Sequence, residues 1–538
     1  MIVVGIGLLL LIVAVYLWAL ENIWRVPFSA LGVLVAGMAV HNFLVMLLIR
    51  LRVPSLLIRG IQSWKEGVLL VLGVLLLRRA LRAVRERRIS RLVPLDAVAV
   101  AFVGLTLVYL VVPRSVLPGR GDLRQELVSL RTMLLLPGLY LYGRVFWSDR
   151  RADLIWVARA ILGAALMVGL FGFFELWFVP TRVWLDWGVN QFTAWLGFTY
   201  HGPGGLPENF FQSTGAGLAL RRMVSTYISP LGIAYTGLLV VPLAAAVLGP
   251  WRLQGLPRGL RWIAFAILGI SILLSLTRAA IACFVAEAVL LALLLRRREL
   301  VVSGIAVAIA AGLAVFAYPQ VAPVVTFGLD DVRLPAGYTL VRDAWRAAAQ
   351  IGLPGTARAP ARRVSSTPSQ PGSDLIGRTL SGQDPSVRGH IAALRAGFAY
   401  AMAHPLGSGI GSGVDRFGST TATGESALFS ITDEIGILGG ALYVALYTLA
   451  VIAGAYAFRR APHDPLAAGF ALIPFVGGLA LVPIMLTSSV WGDFSVTFLF
   501  WWTAGMAANA WPGRPKVNPE PSSQPEAAGA SEAAGNQR

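Results

Sequence analysis

The chain has 538 residues, 56% of them apolar and 13% charged, with a mean hydropathy of +0.70, whereas soluble domains carry about 25% charged residues. That deficit, with apolar runs repeatedly near 18 residues or longer, excludes a soluble enzyme, a disordered chain and a fibrous protein. The formal charge of +18 comes mostly from arginines gathered between apolar runs, which fits inward-facing membrane loops and not a nucleic-acid surface.

A hydrocarbon core of about 30 Å takes roughly 20 apolar residues per helix. Residues 1–179 then hold spans at Ile2–Leu20, Phe28–Ile49, Trp64–Leu77, Pro94–Val112, Leu127–Trp147 and Leu154–Val179. The first has no basic n-region and no small-residue exit, so it reads as a span and not as a cleaved signal. The third is short. Either it is misread, or Pro54–Gln62 is an interfacial piece between two spans. The stretch Arg78–Arg91 carries seven arginines, and further basic loops (Arg150–Arg151, Arg252–Arg258, Arg296–Arg298, Arg459–Arg460) recur at every second connection. By the positive-inside rule these face the cytoplasm, which leaves the side of the N-terminus open.

Residues 180–225 form an outward, aromatic-rich loop in which Trp184, Trp187, Phe192, Trp195 and Phe198 suit a segment lying at the lipid headgroups. Residues 226–318 return to spans at Thr226–Leu248, Leu260–Leu276, Ala279–Leu295 and Leu300–Tyr318. The single cysteine, Cys283, sits inside one of them, so no intramolecular disulfide and no cysteine metal site is available. Residues 319–425 are a large extracytoplasmic loop whose middle, Leu353–Asp374, has linker composition and should be disordered. Its flanks are helical: Val341, Ala344, Trp345 and Ala348 recur at helical spacing. In the second flank Asp384 and Pro385 open a helix striped with Val387, Ile391, Leu394, Phe398 and Met402, which ends at His404-Pro405. Spans at Ser426–Phe458, Leu466–Leu486 and Trp491–Ala510 complete residues 426–510, and 511–538 read as a disordered cytoplasmic tail. The expected fold is an all-α polytopic integral membrane protein with about twelve or thirteen transmembrane helices and no internal repeat.

Charges placed against an outward membrane face are costly, and each needs a reason. Arg278, in the turn SLTRAA, either snorkels from a helix end or anchors a phosphate through its paired donors. Arg222, opening RMVSTYISPLG, has the same two readings. HPLGSGIGSGVDRFG (His404–Gly418) is a flexible turn or a loop whose amides approach a ligand, since glycine permits both; its spacing fits no nucleotide motif. Glu425, where the loop re-enters the membrane, is a general base or a helix cap. Arg388 and Arg395 share one helix face. Asp330-Asp331 are two solvated acids, and the histidines stand singly, so no metal cluster is visible.

In these features the chain resembles the O-antigen ligase and polymerase (Wzy-like) superfamily of bacterial envelope polysaccharide enzymes. RMVSTYISPLG resembles that family's R-x-x-G-T-F-x-N-P stretch at Arg222, Thr226, Tyr227 and Pro230, departing at Ser225 and Ser229. SLTRAA resembles its S-R-G turn at Arg278. VRGHIAALRAGFAYAMAHPLGSGIG followed by ESALFSITDEIGILGG resembles its large outward loop and the helix after it, at His404, Pro405, Gly407, Gly409, Gly411, Glu434 and Gly436. The resemblance implies a GT-C-like bundle in the bacterial cytoplasmic (inner) membrane with its active site facing outward. It also implies an inverting glycosyltransferase without metal or cofactor, acting in O-antigen or exopolysaccharide biosynthesis. Arg222, Arg278 and Arg388 would bind the diphosphate of an undecaprenyl-diphosphate-linked glycan. Glu425 would be the catalytic base, and His404, Gly407, Gly409 and Gly411 would position the loop. Ligases of the family often carry a histidine where this chain has Gly424-Glu425-Ser426, a departure that favours a polymerase. The implied partners are the lipid-linked donor, an acceptor glycan or lipid, membrane lipid and envelope-assembly proteins, with no nucleic acid. Two alternatives stand beside the polymerase: a ligase passing the glycan to a lipid or other envelope acceptor, and a non-catalytic transporter of lipid-linked oligosaccharide.

Overall fold

The structure, a computed structural model, describes residues 2–86, 92–117, 119, 121–197, 205–213, 218–248, 257–296, 309, 313, 318, 324–326, 332–333, 385–412, 426–461 and 463–512. In chain order the helices are α1 (Ile2–Arg25), α2 (Ser29–Arg50), α3 (Ser55–Gln62), α4 (Trp64–Arg85), α5 (Pro94–Val111), α6 (Leu123–Val145) and α7 (Arg151–Phe178). The short α8 (Thr181–Asp186) and α9 (Val189–Trp195) precede α10 (Pro230–Leu248), α11 (Arg258–Leu274) and α12 (Arg278–Leu294). Then follow α13 (Pro385–Ala403), α14 (Ala427–Arg460), α15 (Pro465–Leu472), a π-helical turn (Ile473–Gly477), α16 (Gly478–Thr487) and α17 (Phe494–Ala508). Among the described residues seven helices are long and apolar enough to cross a membrane. The protein is a mostly helical, polytopic membrane protein.

Local signals set the helix starts. Asp122 and Gln125 close a reciprocal capping box on α6, both bonds at 2.8 Å. Asp464 caps α15 ahead of Pro465 at its first position. The most enclosed span is Pro230–Val247 of α10, 89% buried. It packs against α7, α11, α12, α15, the π-helical turn and α17, whose Trp501 and Trp502 are fully buried.

Connections sort cleanly to two ends. At one end Arg79 Nη1 donates to Val145 O at 2.7 Å, Arg144 pairs with Asp96 at 3.3 Å, and Asn509 Nδ2 donates to Arg144 O at 3.2 Å. At the other, Arg50 Nε donates to Asp186 O at 2.5 Å, Trp195 Nε1 to Gln62 Oε1 at 3.0 Å, Gly121 N to Ile410 O at 3.1 Å and Ala427 N to Ser488 O at 3.1 Å. The described arginines of the short basic loops gather at the first end. Arg78 stacks on Trp24 at that end as well, at 5.4 Å, so α1 starts from the opposite one.

The doubtful third span resolves as two elements. Pro54 opens the eight-residue α3, with Leu56 and Leu57 exposed and Ile58 buried, and α4 then runs the full 22 residues to Arg85. Two expectations are corrected. No strand was expected, yet Phe211–Ser213, Leu218–Arg221, Val324–Thr326 and Val332–Arg333 form one antiparallel sheet, β1 to β4, that joins the two long loops. The aromatic stretch is not spread on lipid: Trp184 and Phe192 are buried in a separate small core with Val45, Met46, Phe210 and Val224. The physical reason is mutual packing, with Trp184 edge-on to both Phe210 and Trp187 at 5.3 Å. In α13, Gly397 sits against Phe429 of α14, where a Cβ would come 2.7 Å from the ring, and the exposed Phe398 and Met402 of the apolar stripe line an open groove with Leu428, Phe429 and Thr432 of α14. The Leu300–Tyr318 span (apart from residues 309, 313 and 318), the linker Leu353–Asp374 and the tail beyond residue 512 lie outside the described residues.

Candidate active site at the turns before α10 and α12

The stretch from Arg221 to Ile228 is held from three sides. Glu175, deep in α7 and fully buried, accepts from Val224 N at 2.8 Å and Ser225 N at 3.2 Å through Oε1, and from Arg221 Nη2 at 3.2 Å through Oε2. Ser225 Oγ donates to Val168 O at 2.6 Å, Asn42 Nδ2 donates to Tyr227 O at 2.8 Å, and Thr226 Oγ1 donates to Ala39 O. These bonds hold two non-glycine residues in left-handed backbone, Ser225 at φ 48° and Ile228 at φ 54°. For a β-branched residue such a φ costs of order 1–3 kcal/mol and persists only where the surroundings over-determine it. Arg221 is thus a structural arginine, its guanidinium also stacked on Phe210 at 4.4 Å.

Arg222 points the other way, towards the α11–α12 turn. Its Nε donates to Ser275 O at 2.7 Å and its Nη2 to Thr277 Oγ1 at 2.9 Å, while Met223 N donates to Leu274 O at 3.0 Å. Burial pushes the Arg222 guanidinium down to about 10; the facing phenols of Tyr235 and Tyr318 oppose that shift and the neighbouring charge of Arg278 adds to it. It remains cationic at neutral pH. Arg278 is the first residue of α12, where a positive charge opposes the helix dipole. Two arginines beside each other at a helix N-terminus favour a bound anion, since its charge offsets both the repulsion and the dipole. Arg222 also has a structural part, since two of its donors latch the turn.

In the described part of the glycine loop, residues 404–412, the amides bond within the protein. Ser408 N donates to Asp433 O at 2.6 Å, Gly409 N to Glu434 O at 3.1 Å, Gly411 N to Glu434 Oε2 at 3.1 Å, and Ile437 N to Pro405 O at 2.9 Å. Ser129 of α6 adds a hydroxyl to the same Glu434 oxygen. Gly407 at φ 75° and Gly436 at φ 73° meet backbone to backbone: a Cβ on Gly407 would lie 2.5 Å from Gly436 N. Gly436 breaks α14, and the loop plugs the break. His404 is exposed and stacks on Tyr400, with ring centroids 4.2 Å apart. The described residues 404–412 are brought onto α6 and α14.

Of the expected site residues, Arg222 and Arg278 are brought together, and His404, Gly407, Gly409 and Gly411 form a packed buttress. Glu425 and the side chain of Arg388 lie outside the described residues. No group of three His, Cys, Asp or Glu that could hold a metal occurs among the described residues. Sequence reasoning missed Glu175. A lone acid in an apolar run, FFELWF, was the available signal. No protein-family model matches the chain, and no curated protein matches it.

Proposed function

We propose that the protein is a membrane glycosyltransferase that polymerises a bacterial surface polysaccharide, taking glycan from an undecaprenyl-diphosphate donor and passing it to a sugar hydroxyl. The observation that carries this reading is the Arg222–Arg278 pair, two cations set side by side at the start of α12 on the end opposite the arginine-rich loops. A diphosphate is a leaving group whose charge grows as the glycosidic bond breaks, and fixed guanidinium donors lower that barrier by meeting the charge where it develops. In this reading the end bearing α3, α8, α9 and the sheet faces outward from the inner membrane, the bundle is of the GT-C kind, and Arg388 reaches the same phosphates. The test uses purified protein in liposomes with lipid-linked oligosaccharide: a polymerase lengthens the glycan, and Arg278→Ala abolishes the lengthening.

One observation favours a second reading. The π-helical turn Ile473–Gly477 interrupts the buried α15–α16 span, and such interruptions recur in transporters. A transporter would move the oligosaccharide across the liposome without altering its length, so one preparation separates the two.

A further inference from the structure

The arginine-rich end carries a cavity of about 250 Å³ between the C-terminal ends of α12 and α14 and the start of α15, and both Arg296 and Arg459 line it. Arg296 follows α12 in left-handed backbone, φ 49°, with its amide donating to Leu293 O at 3.3 Å. Glycine is the usual residue at that place after a helix, so an arginine there is held against its backbone preference. Arg459 stands in the last turn of α14. Helix dipoles favour a cation at each of these ends, which accounts for either arginine alone but not for two lining one cavity.

Neither guanidinium has a hydrogen bond or ion pair with the protein among the described residues. Their neighbours at the same end do: Arg460 Nη1 donates to Trp511 O at 3.4 Å and Arg79 Nη1 to Val145 O at 2.7 Å. Asp464 lines the cavity too, but its Oδ1 is occupied in capping α15, accepting from Leu466 N at 3.0 Å and Ala467 N at 3.5 Å. Two guanidinia against one carboxylate leave a single positive charge in excess. The single charge of a phosphodiester meets that excess, and its two free oxygens suit paired guanidinium donors; a phosphomonoester carries about −1.5 to −2 near pH 7. The remaining wall is apolar, with Leu294, Leu295, Phe458 and Ala468. Beside it Leu293, 66% exposed, ends the stripe Ala279, Ala282, Ala286, Val289 that α12 turns outward. Apolar surface therefore runs from the cavity onto the exposed side of a membrane helix.

We propose that this cavity binds the phosphodiester headgroup of an anionic phospholipid. Arg296 and Arg459 hold the phosphate oxygens, and an acyl chain follows Leu293 and the apolar wall. Basic cavities between membrane helices take such headgroups where the loops are rich in Lys and Arg. The site lies at the opposite end of α12 from Arg278 and does not rest on the transferase reading.

The test uses the full chain, purified in detergent and freed of lipid. Phosphatidylglycerol, phosphatidylcholine and inorganic phosphate are separate probes, with bound lipid counted by native mass spectrometry. One phosphatidylglycerol should bind where phosphatidylcholine does not. Arg296→Gln combined with Arg459→Gln should weaken that binding roughly 30-fold, at about 1 kcal/mol for each cation lost. The lipid-free melting temperature should not change, because neither side chain holds the protein together. Arg82→Gln combined with Arg85→Gln, two exposed arginines of α4 at the same end, should leave binding as it was. Equal weakening by the two pairs would reduce the site to diffuse surface charge and overturn it, as would undiminished binding in the first pair. Inorganic phosphate held as tightly as the lipid would overturn the lipid assignment.

Discussion

The two ends of the bundle use arginine in opposite ways. At the arginine-rich end, Arg144 is almost fully buried and spends Nε and Nη2 on Asp96, each at 3.3 Å, and Nη1 on Asn509. Tyr140 donates to the same carboxylate, and Arg79 caps α6 by donating to Val145 O. The Arg144 charge is thus matched inside the protein. At the other end Arg221 is matched in the same way by Glu175, but its neighbour Arg222 is set beside Arg278. One residue type therefore serves packing where an acid meets it, and in the proposed reading it serves ligand binding where a second cation stands beside it. The difference lies in the partner, not in the arginine.

Removing partners is the strongest way to break that comparison. Glu175→Ala strands the buried Arg221 charge and two backbone amides, and breaking a buried pair costs about 3–5 kcal/mol. The melting temperature in detergent should fall the furthest of all the variants, with the Arg221–Ile228 stretch released. Arg144→Ala, at the opposite end, should cost nearly as much by the same physics, but whatever protein remains folded should elongate glycan at the normal rate. Gly436→Ala places a Cβ 2.6 Å from Pro405 O in left-handed backbone. The expected loss is about 1–3 kcal/mol, visible as a smaller fall in melting temperature. An unchanged melting temperature there would mean that the loop does not plug the α14 break.

The smallest perturbation sharpens the comparison by asking which end faces out. In a Cys283→Ser background, cysteines replacing the exposed Arg59 and Arg459 mark the two ends. An impermeant thiol reagent on intact cells should label position 59 and spare 459. The reverse pattern would turn the arginine pair towards the cytoplasm.

Much of this was legible in the sequence. Hydropathy located the long apolar helices, seven of which are long enough to cross a membrane among the described residues, because lipid forces one long apolar run per crossing. Arg222 and Arg278 stood out because each interrupts an apolar context. What stayed hidden depends on contacts between distant segments. Glu175 meets Arg221 46 residues later, and Ser129 meets Glu434 305 residues later; neither pair leaves a periodic trace. The glycines of His404–Gly411 were visible, but whether their amides face a ligand or α14 depends on the break at Gly436, which only the fold defines. Trp184 reads as an interfacial tryptophan until Phe210 and Arg221 close over it.

The central claim is that Arg278 holds a phosphate, and Arg278→Lys at matched protein level tests it most directly. Lysine keeps the charge and reaches the interface as readily as arginine, but it lacks the two-pronged donor geometry. Elongation of lipid-linked glycan by Arg278→Lys should fall by about 10²–10³-fold, as for loss of one charge-stabilising donor, and nearly as far as in Arg278→Ala, with the melting temperature unchanged. Near-normal elongation by Arg278→Lys would contradict phosphate binding and leave Arg278 a snorkelling residue at a helix end.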